Sequence, residues 1–204
     1  MNTVSEINQL KDMELKKEIK MFSVNTEISE PGHRGYRLPT KKMGRFSGKE
    51  GNSFFYPLND NVQEKIKEYG RNYVEYRNGY PDFLPFTIQV TPWGIVQFSE
   101  EIGHMVESRR NRNIDGIVEE GNFIQAEKIF CEKINRSNPD LKLTLTQFRS
   151  WYKSKKLTIH ECEDGKIVQL VPTMIHDACR HSGGISEQKY RGAMGDICID
   201  DGAD

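Results

Sequence analysis

Apolar residues recur at helical spacing at the start of the chain, where Val4, Ile7, Leu10, Met13 and Leu15 predict a helix over 3–21 with charge around it. From 22 to 60 that periodicity lapses. The stretch is rich in Gly, Pro, Ser and Asn, and reads as an irregular, basic connecting segment that includes PGHRGYRLP and GRFSGKEGNSFFYP. Asp60 or Asn61 can cap a short helix to about 69, closed by Gly70. Residues 72–76 read as a strand running into an Asn78-Gly79 turn, and FTIQV alternates as a second strand. Residues 99 to about 111 predict a helix carrying an arginine cluster. Residues 123–134 predict another, with Ile124, Ala126, Ile129 and Phe130 on one side, and 144–152 a third, with Thr144 as N-cap.

After about 155 the pattern changes. Residues 156–162 alternate like a strand, Glu163-Asp164-Gly165 supplies a hairpin turn, and 167–171 form a short apolar strand ended by Pro172. Thr173 is an N-cap candidate for a helix to about 180, which Gly183-Gly184 stops. The expected fold class is therefore α+β: a mostly helical body with a small β-hairpin region and a C-terminal ββα unit at 156–184.

Three of the five histidines fall in this unit: His160 on the first strand, with Glu161 beside it, and His176 and His181 at the helix. Neutral imidazole is the commonest protein ligand of zinc-like metals, and a hairpin folded on a helix can gather such residues around one divalent cation. On a continuous helix His176 and His181 would diverge by about 140°, so the helix has to unwind before His181. A second arrangement uses His160, Cys162, His176 and Cys179 as a closed Cys₂His₂ zinc site, which would make the domain a binding module.

The 204 residues are 36% hydrophobic and 29% charged, with no apolar run of bilayer length and no signal-peptide core at the N-terminus. The expectation is a chain acting in a reducing cytoplasm, or one cut from a larger exported protein. Cys131, Cys162, Cys179 and Cys198 lack a CxxC pair, which argues against a disulfide framework. A net charge of -1 does not by itself indicate nucleic-acid binding, so local patches matter more. Base gathers at Arg34, Arg37, Lys41, Lys42 and Arg45, at Arg109, Arg110 and Arg112, and at Lys153, Lys155 and Lys156; acid gathers in DICIDDGAD. His33 and His104 read as surface residues; Trp93, Trp151 and the aromatic cluster at 80–86 read as core.

The stretch LTIHECEDGKIVQLVPTMIHDACRHSGG resembles the HNH nuclease domains of bacterial polymorphic toxins. Those carry a Trp-His-His run, an acidic-Gly turn, a Gln-Leu-Val-Pro strand, and a helix with His followed by His-x-Gly-Gly. GRFSGKEGNSFFYP, NGYPDF, GNFIQAEK and LTLTQFRSWYKS resemble segments upstream of that core, extending the likeness over about 43–185. With the likeness confined to that span, the chain divides into an N-terminal helix and basic segment (1–40), a nuclease domain (41–185) and an acidic tail (186–204). The resemblance implies metal ligation by His160, His176 and His181 and places Glu161, where His is usual, at the general-base position. Glu161 as ligand with His160 as base is the other assignment. Ile159 replaces the usual Trp. Arg180, Lys153, Lys155 and Lys156 are the nearest basic residues for phosphate contacts. The implied activity is phosphodiester hydrolysis with Mg, Mn, Ni or Zn, on DNA ahead of RNA. The implied setting is a toxin delivered into a target cytoplasm and neutralised by an acidic immunity protein. A catalytically degenerate member kept for binding is the alternative.

Overall fold

The computed structural model describes residues 37–103 and 105–186, all within the unit spanning Gly32–Asp204. The helix expected over 3–21, His33, His104 and residues 187–204 of the acidic tail lie outside the described residues.

The first sheet has four short antiparallel strands in chain order: β1 (Gly44–Phe46), β2 (Phe54–Pro57), β3 (Val74–Arg77) and β4 (Tyr80–Pro81). In β3, Val74 and Tyr76 point to the core while Glu75 and Arg77 point outward, the period-two pattern that marks a half-buried strand. Asn78 (φ 50°) and Gly79 (φ 85°) both occupy left-handed backbone, as a two-residue hairpin turn requires. The segment at 22–60 is thus not wholly irregular, since β1 and β2 lie in it. Strands of three and four residues are too short to print an alternation. Helix α1 (Asp60–Lys67) is capped one residue before the expected position, because the Asn59 side chain accepts from the backbone N–H groups of Asn61 and Val62.

A hairpin of β5 (Ile88–Thr91) and β6 (Gly94–Gln97) follows, then β7 (Ser99–Glu101), and a second hairpin of β8 (Arg112–Ile114) and β9 (Ile117–Glu119). This corrects the helix expected over 99–111. Phe98, Ile102, Met105 and Val106 are buried, and their spacing suits a helical face. The backbone, however, pairs with β11: Leu170 N–H donates to the Phe98 carbonyl and Ile102 N–H to that of Lys166. Ladder bonds to a neighbouring strand outweigh a local periodicity signal. The body is therefore not mostly helical; among the described residues helix (31%) and strand (28%) are nearly equal.

Helices α2 (Asn122–Ser137) and α3 (Leu145–Ser154) stand where the sequence places them, with Thr144 and Gln147 forming a reciprocal capping box. The buried Glu127 carboxylate ties them together by accepting from Arg149 (Nε at 2.8 Å, and Nη2) and from the Tyr152 hydroxyl at 2.8 Å. Strands β10 (Leu157–Glu161) and β11 (Ile167–Pro172) pair antiparallel with His160 opposite Gln169, and the sheet order is β10-β11-β7. Helix α4 (Thr173–Ala178) begins directly after Pro172, so Thr173 is its first residue and not its cap.

The hairpin separates two cores. Leu157, Ile159, Val168 and Leu170 pack with Phe98, Phe130 and Phe148 of the α2–α3 side. Val171, Ile175 and Cys179 pack with Phe55, Tyr76, Phe83 and Phe86 on the first-sheet side. Alternation along β10 then sends His160 away from α2 and α3, and Glu161 toward them.

Candidate metal centre

Strand β10, helix α4 and the chain after it each deliver one imidazole to the same point. The ligand atoms of His160, His176 and His181 all lie within 4.8 Å of one another. Their ring centroids stand 4.9 Å (160–181), 5.2 Å (176–181) and 5.5 Å (160–176) apart. Phe83, buried behind them, touches all three: 4.9 Å from His160, 5.5 Å from His176 and nearly parallel to it, and 5.6 Å from His181. The aromatic cluster at 80–86 is core, as its composition implies, and Phe83 is also the floor of the site.

Helix α4 ends at Ala178, two residues earlier than expected, with Cys179 at φ −104°, ψ 77°. That exit turns His181 back toward His176. The glycine pair does not stop the helix; Gly184 serves a different need. A Cβ there would sit 2.5 Å from the Cys162 carbonyl oxygen and 3.2 Å from the Glu161 Cβ, so only glycine lets the returning chain lie against the end of β10.

The donor set suits a divalent cation. The His181 Nδ1 is 2.7 Å from the Cys179 carbonyl, which must accept from it. The proton is thereby fixed on Nδ1, and the Nε2 lone pair is left for a ligand. Burial, as the largest cause, lowers the pKa of all three rings: His160 well below the usual 6.5, His176 below it, and His181 to about 4. The neighbouring imidazoles push the same way on His160 and His181, and the Arg109 charge does so on all three. Unprotonated imidazoles clustered in this way are what a zinc-like ion requires.

The sign of the pH dependence follows. Between about pH 4 and 6.5 the unfolded chain binds protons at these histidines that the folded chain does not, so stability rises with pH there. The metal-free protein is expected to lose stability as pH falls from 7 through 6.5 toward 4. Urea midpoints measured across that range will check it, and the drop should shrink in His181→Gln.

Glu161, next to His160, is on the opposite face. Its side chain is 2% exposed; Oε1 accepts from Asn122 Nδ2 at 2.8 Å and Oε2 from Arg109 Nε at 3.2 Å. Cys162 and Glu163 form a further cluster with His160. The Cys₂His₂ arrangement is not assembled, because the buried Cys179 thiol lies against the Tyr76 ring hydroxyl and joins neither cluster. Arg180 is exposed immediately before His181. Lys153, Lys155 and Lys156 are exposed where α3 runs into β10; at about 3.3 Å per residue Lys156 is about 13 Å up the strand from His160. Arg109 is tied to the residue next to His160 through its contact with the Glu161 carboxylate. It belongs to the arginine cluster visible in the sequence, but the helix expected there hid its placement. Asn122 carried no sequence signal.

No curated protein and no solved structure matches the chain. A family model described as the DNase/tRNase domain of colicin-like bacteriocin matches residues 73–183. That span includes β3 and Phe83, the Arg109 loop, both long helices and the whole β10–β11–α4 unit with its three histidines. On a match covering more than half its length, the chain belongs to the family of DNase/tRNase domains of colicin-like bacteriocins.

Proposed function

We propose that this domain is a metal-dependent endonuclease of the HNH type, acting on phosphodiester bonds of DNA in preference to RNA, and serving as an antibacterial toxin. The observation that carries the reading is the convergence of His160, His176 and His181 from three successive elements within one nuclease-family domain. These three residues hold the cation, and an imidazole-rich donor set favours Zn or Ni over Mg or Mn. When bound, the metal supplies Lewis-acid stabilisation of the phosphoryl oxygens and a lowered pKa for water.

The chain's own residues do the rest. Phe83 keeps one wall of the site apolar, and the Cys179 carbonyl keeps His181 in one tautomer. By the family resemblance Glu161 stands at the general-base position; in the other assignment Glu161 takes the place of His160 as ligand and His160 accepts the proton. Arg180 beside the site, and Lys153, Lys155 and Lys156 further along, contact backbone phosphates, which position a duplex without reading its sequence. An acidic immunity protein that covers these basic groups would block the substrate path and associate quickly through charge. The toxin then acts in the cytoplasm of the cell it enters. No helix among the described residues is long and apolar enough to cross a membrane.

The test is incubation of the purified protein with supercoiled plasmid and, in parallel, with tRNA, in the presence of Mg²⁺, Mn²⁺, Ni²⁺ or Zn²⁺. Nicking and linearisation of plasmid, stopped by chelation, is the expected result. Folded protein inert on both substrates with all four metals would leave a binding module in place of the enzyme, and tRNA cleavage without plasmid cleavage would reverse the substrate preference.

A further inference from the structure

Arg109 combines two properties that rarely occur together. Its side chain is 60% exposed, yet it is anchored to a carboxylate that is 2% exposed. The anchor uses Nε alone, and among the described residues neither Nη group has a partner. The guanidinium also lies over the Phe123 ring, 5.4 Å from its centre, which restricts the plane in which the fork can lie.

The support behind it is rigid. Asn122, fully buried at the start of α2, holds the other oxygen of Glu161 and is itself fixed by Val106, whose N–H donates to its Oδ1 and whose carbonyl accepts from its Nδ2, each at 2.7 Å. The Asn122 and Phe123 amides, which an isolated helix end would leave unpaired, donate to the carbonyls of Ser108 and Arg109. At Gly121 a Cβ would lie 2.3 Å from the Arg110 backbone, so loop and helix start are in direct contact. Backbone and side chain of Arg109 are thus both fixed, and the carboxylate that anchors it belongs to the residue directly after His160 at the end of β10.

We propose that Arg109 binds the substrate phosphate beside the histidine cluster, and that Glu161 and Asn122 are positioning residues which hold its guanidinium there. The inference rests on the nuclease reading above and goes beyond it in giving Glu161 a role other than proton transfer. A guanidinium held at Nε presents a pair of N–H donors that match two oxygens of one phosphodiester. No bond is made or broken by Arg109; it neutralises charge on the phosphoryl oxygens as hydrolysis proceeds.

Three measurements test this on the full chain loaded with Zn²⁺ or Ni²⁺: metal affinity by calorimetry, inorganic phosphate binding by ³¹P line broadening, and plasmid cleavage. Arg109→Ala should keep metal affinity within about threefold and lose phosphate binding. Its kcat/KM should fall about 100-fold, the scale of one lost transition-state donor, with partial recovery in Arg109→Lys or on adding millimolar guanidinium. Glu161→Gln should cost less, about tenfold, and the double variant should be no worse than Arg109→Ala alone, since the two residues act as one unit. Arg109→Ala that binds phosphate and cleaves like the wild type would overturn the proposal. Additive losses in the double variant would overturn the positioning role of Glu161. Wild-type protein that binds phosphate but cuts nothing would count against the nuclease reading only, since the phosphate comparison still reads Arg109.

Discussion

Replacing His176 by Ala is expected to reduce plasmid cleavage by at least about 1000-fold, equivalent to about 4 kcal/mol of lost transition-state stabilisation. On the proposed function His176 is the ligand contributed by α4, and two imidazoles would not hold a divalent ion in the geometry that three define. Its ring is not part of the tight core: it is partly exposed, and among the described residues its side-chain hydrogen-bond partner is Asp177 at 3.4 Å. The metal-free variant should therefore melt close to the metal-free wild type. The difference will appear on adding metal, because an ion that binds only the folded state raises its melting temperature by mass action. Wild type should gain several degrees in excess Zn²⁺ or Ni²⁺ and His176→Ala little. Retained cleavage in the variant, or an undiminished metal-induced rise, would remove the histidine cluster from the mechanism.

The second large effect falls on Phe83. Truncation to Ala should cost about 3–5 kcal/mol of folding free energy, since it empties an aromatic volume from a fully buried site. It should also weaken metal binding in whatever fraction still folds, because the same ring packs on all three imidazoles. Phe83→Leu separates the two consequences. It fills most of the volume, so stability should largely return, while the flat face that orients the His176 ring does not. Urea unfolding of the metal-free protein reads the first and calorimetric metal titration the second. A loss below about 1 kcal/mol in Phe83→Ala would mean the pocket collapses freely and does not shape the site.

The parts of this fold legible in the sequence are those where one local signal decides the backbone. Asn78-Gly79 admits a tight hairpin through positive φ, Thr144 and Gln147 cap each other, and the alternation, turn and Pro172 at the end define β10 and β11. The three histidines were visible as candidates for the same reason, since hairpin and helix bring them together without distant contacts. What the sequence concealed depends on partners far along the chain. Residues 98–106 carry apolar side chains at helical spacing, but β11, about seventy residues on, claims that backbone as an edge strand. Glu161 reads as a free carboxylate beside a ligand until Arg109 and Asn122 close on it from 52 and 39 residues away. Phe83 is one aromatic among several, and no pattern marks it as the residue under all three rings. Arg180, Lys153, Lys155 and Lys156 all lie near the histidines in sequence, and β10 sets the lysines most of a strand's length from His160.

The brevity of α4 has a use of its own. A carbonyl at the end of a helix has no N–H four residues ahead to donate to it, and proteins commonly leave such oxygens to water. Here the oxygen released at Cys179 goes to the His181 ring, so the fraying of a six-residue helix determines which imidazole nitrogen carries hydrogen. A sequence change that wound one more turn onto this helix would raise its intrinsic stability and rotate His181 out of the cluster. Selection on this segment should favour a weak helix end, and a stabilising substitution there should yield a hardier protein that binds no metal.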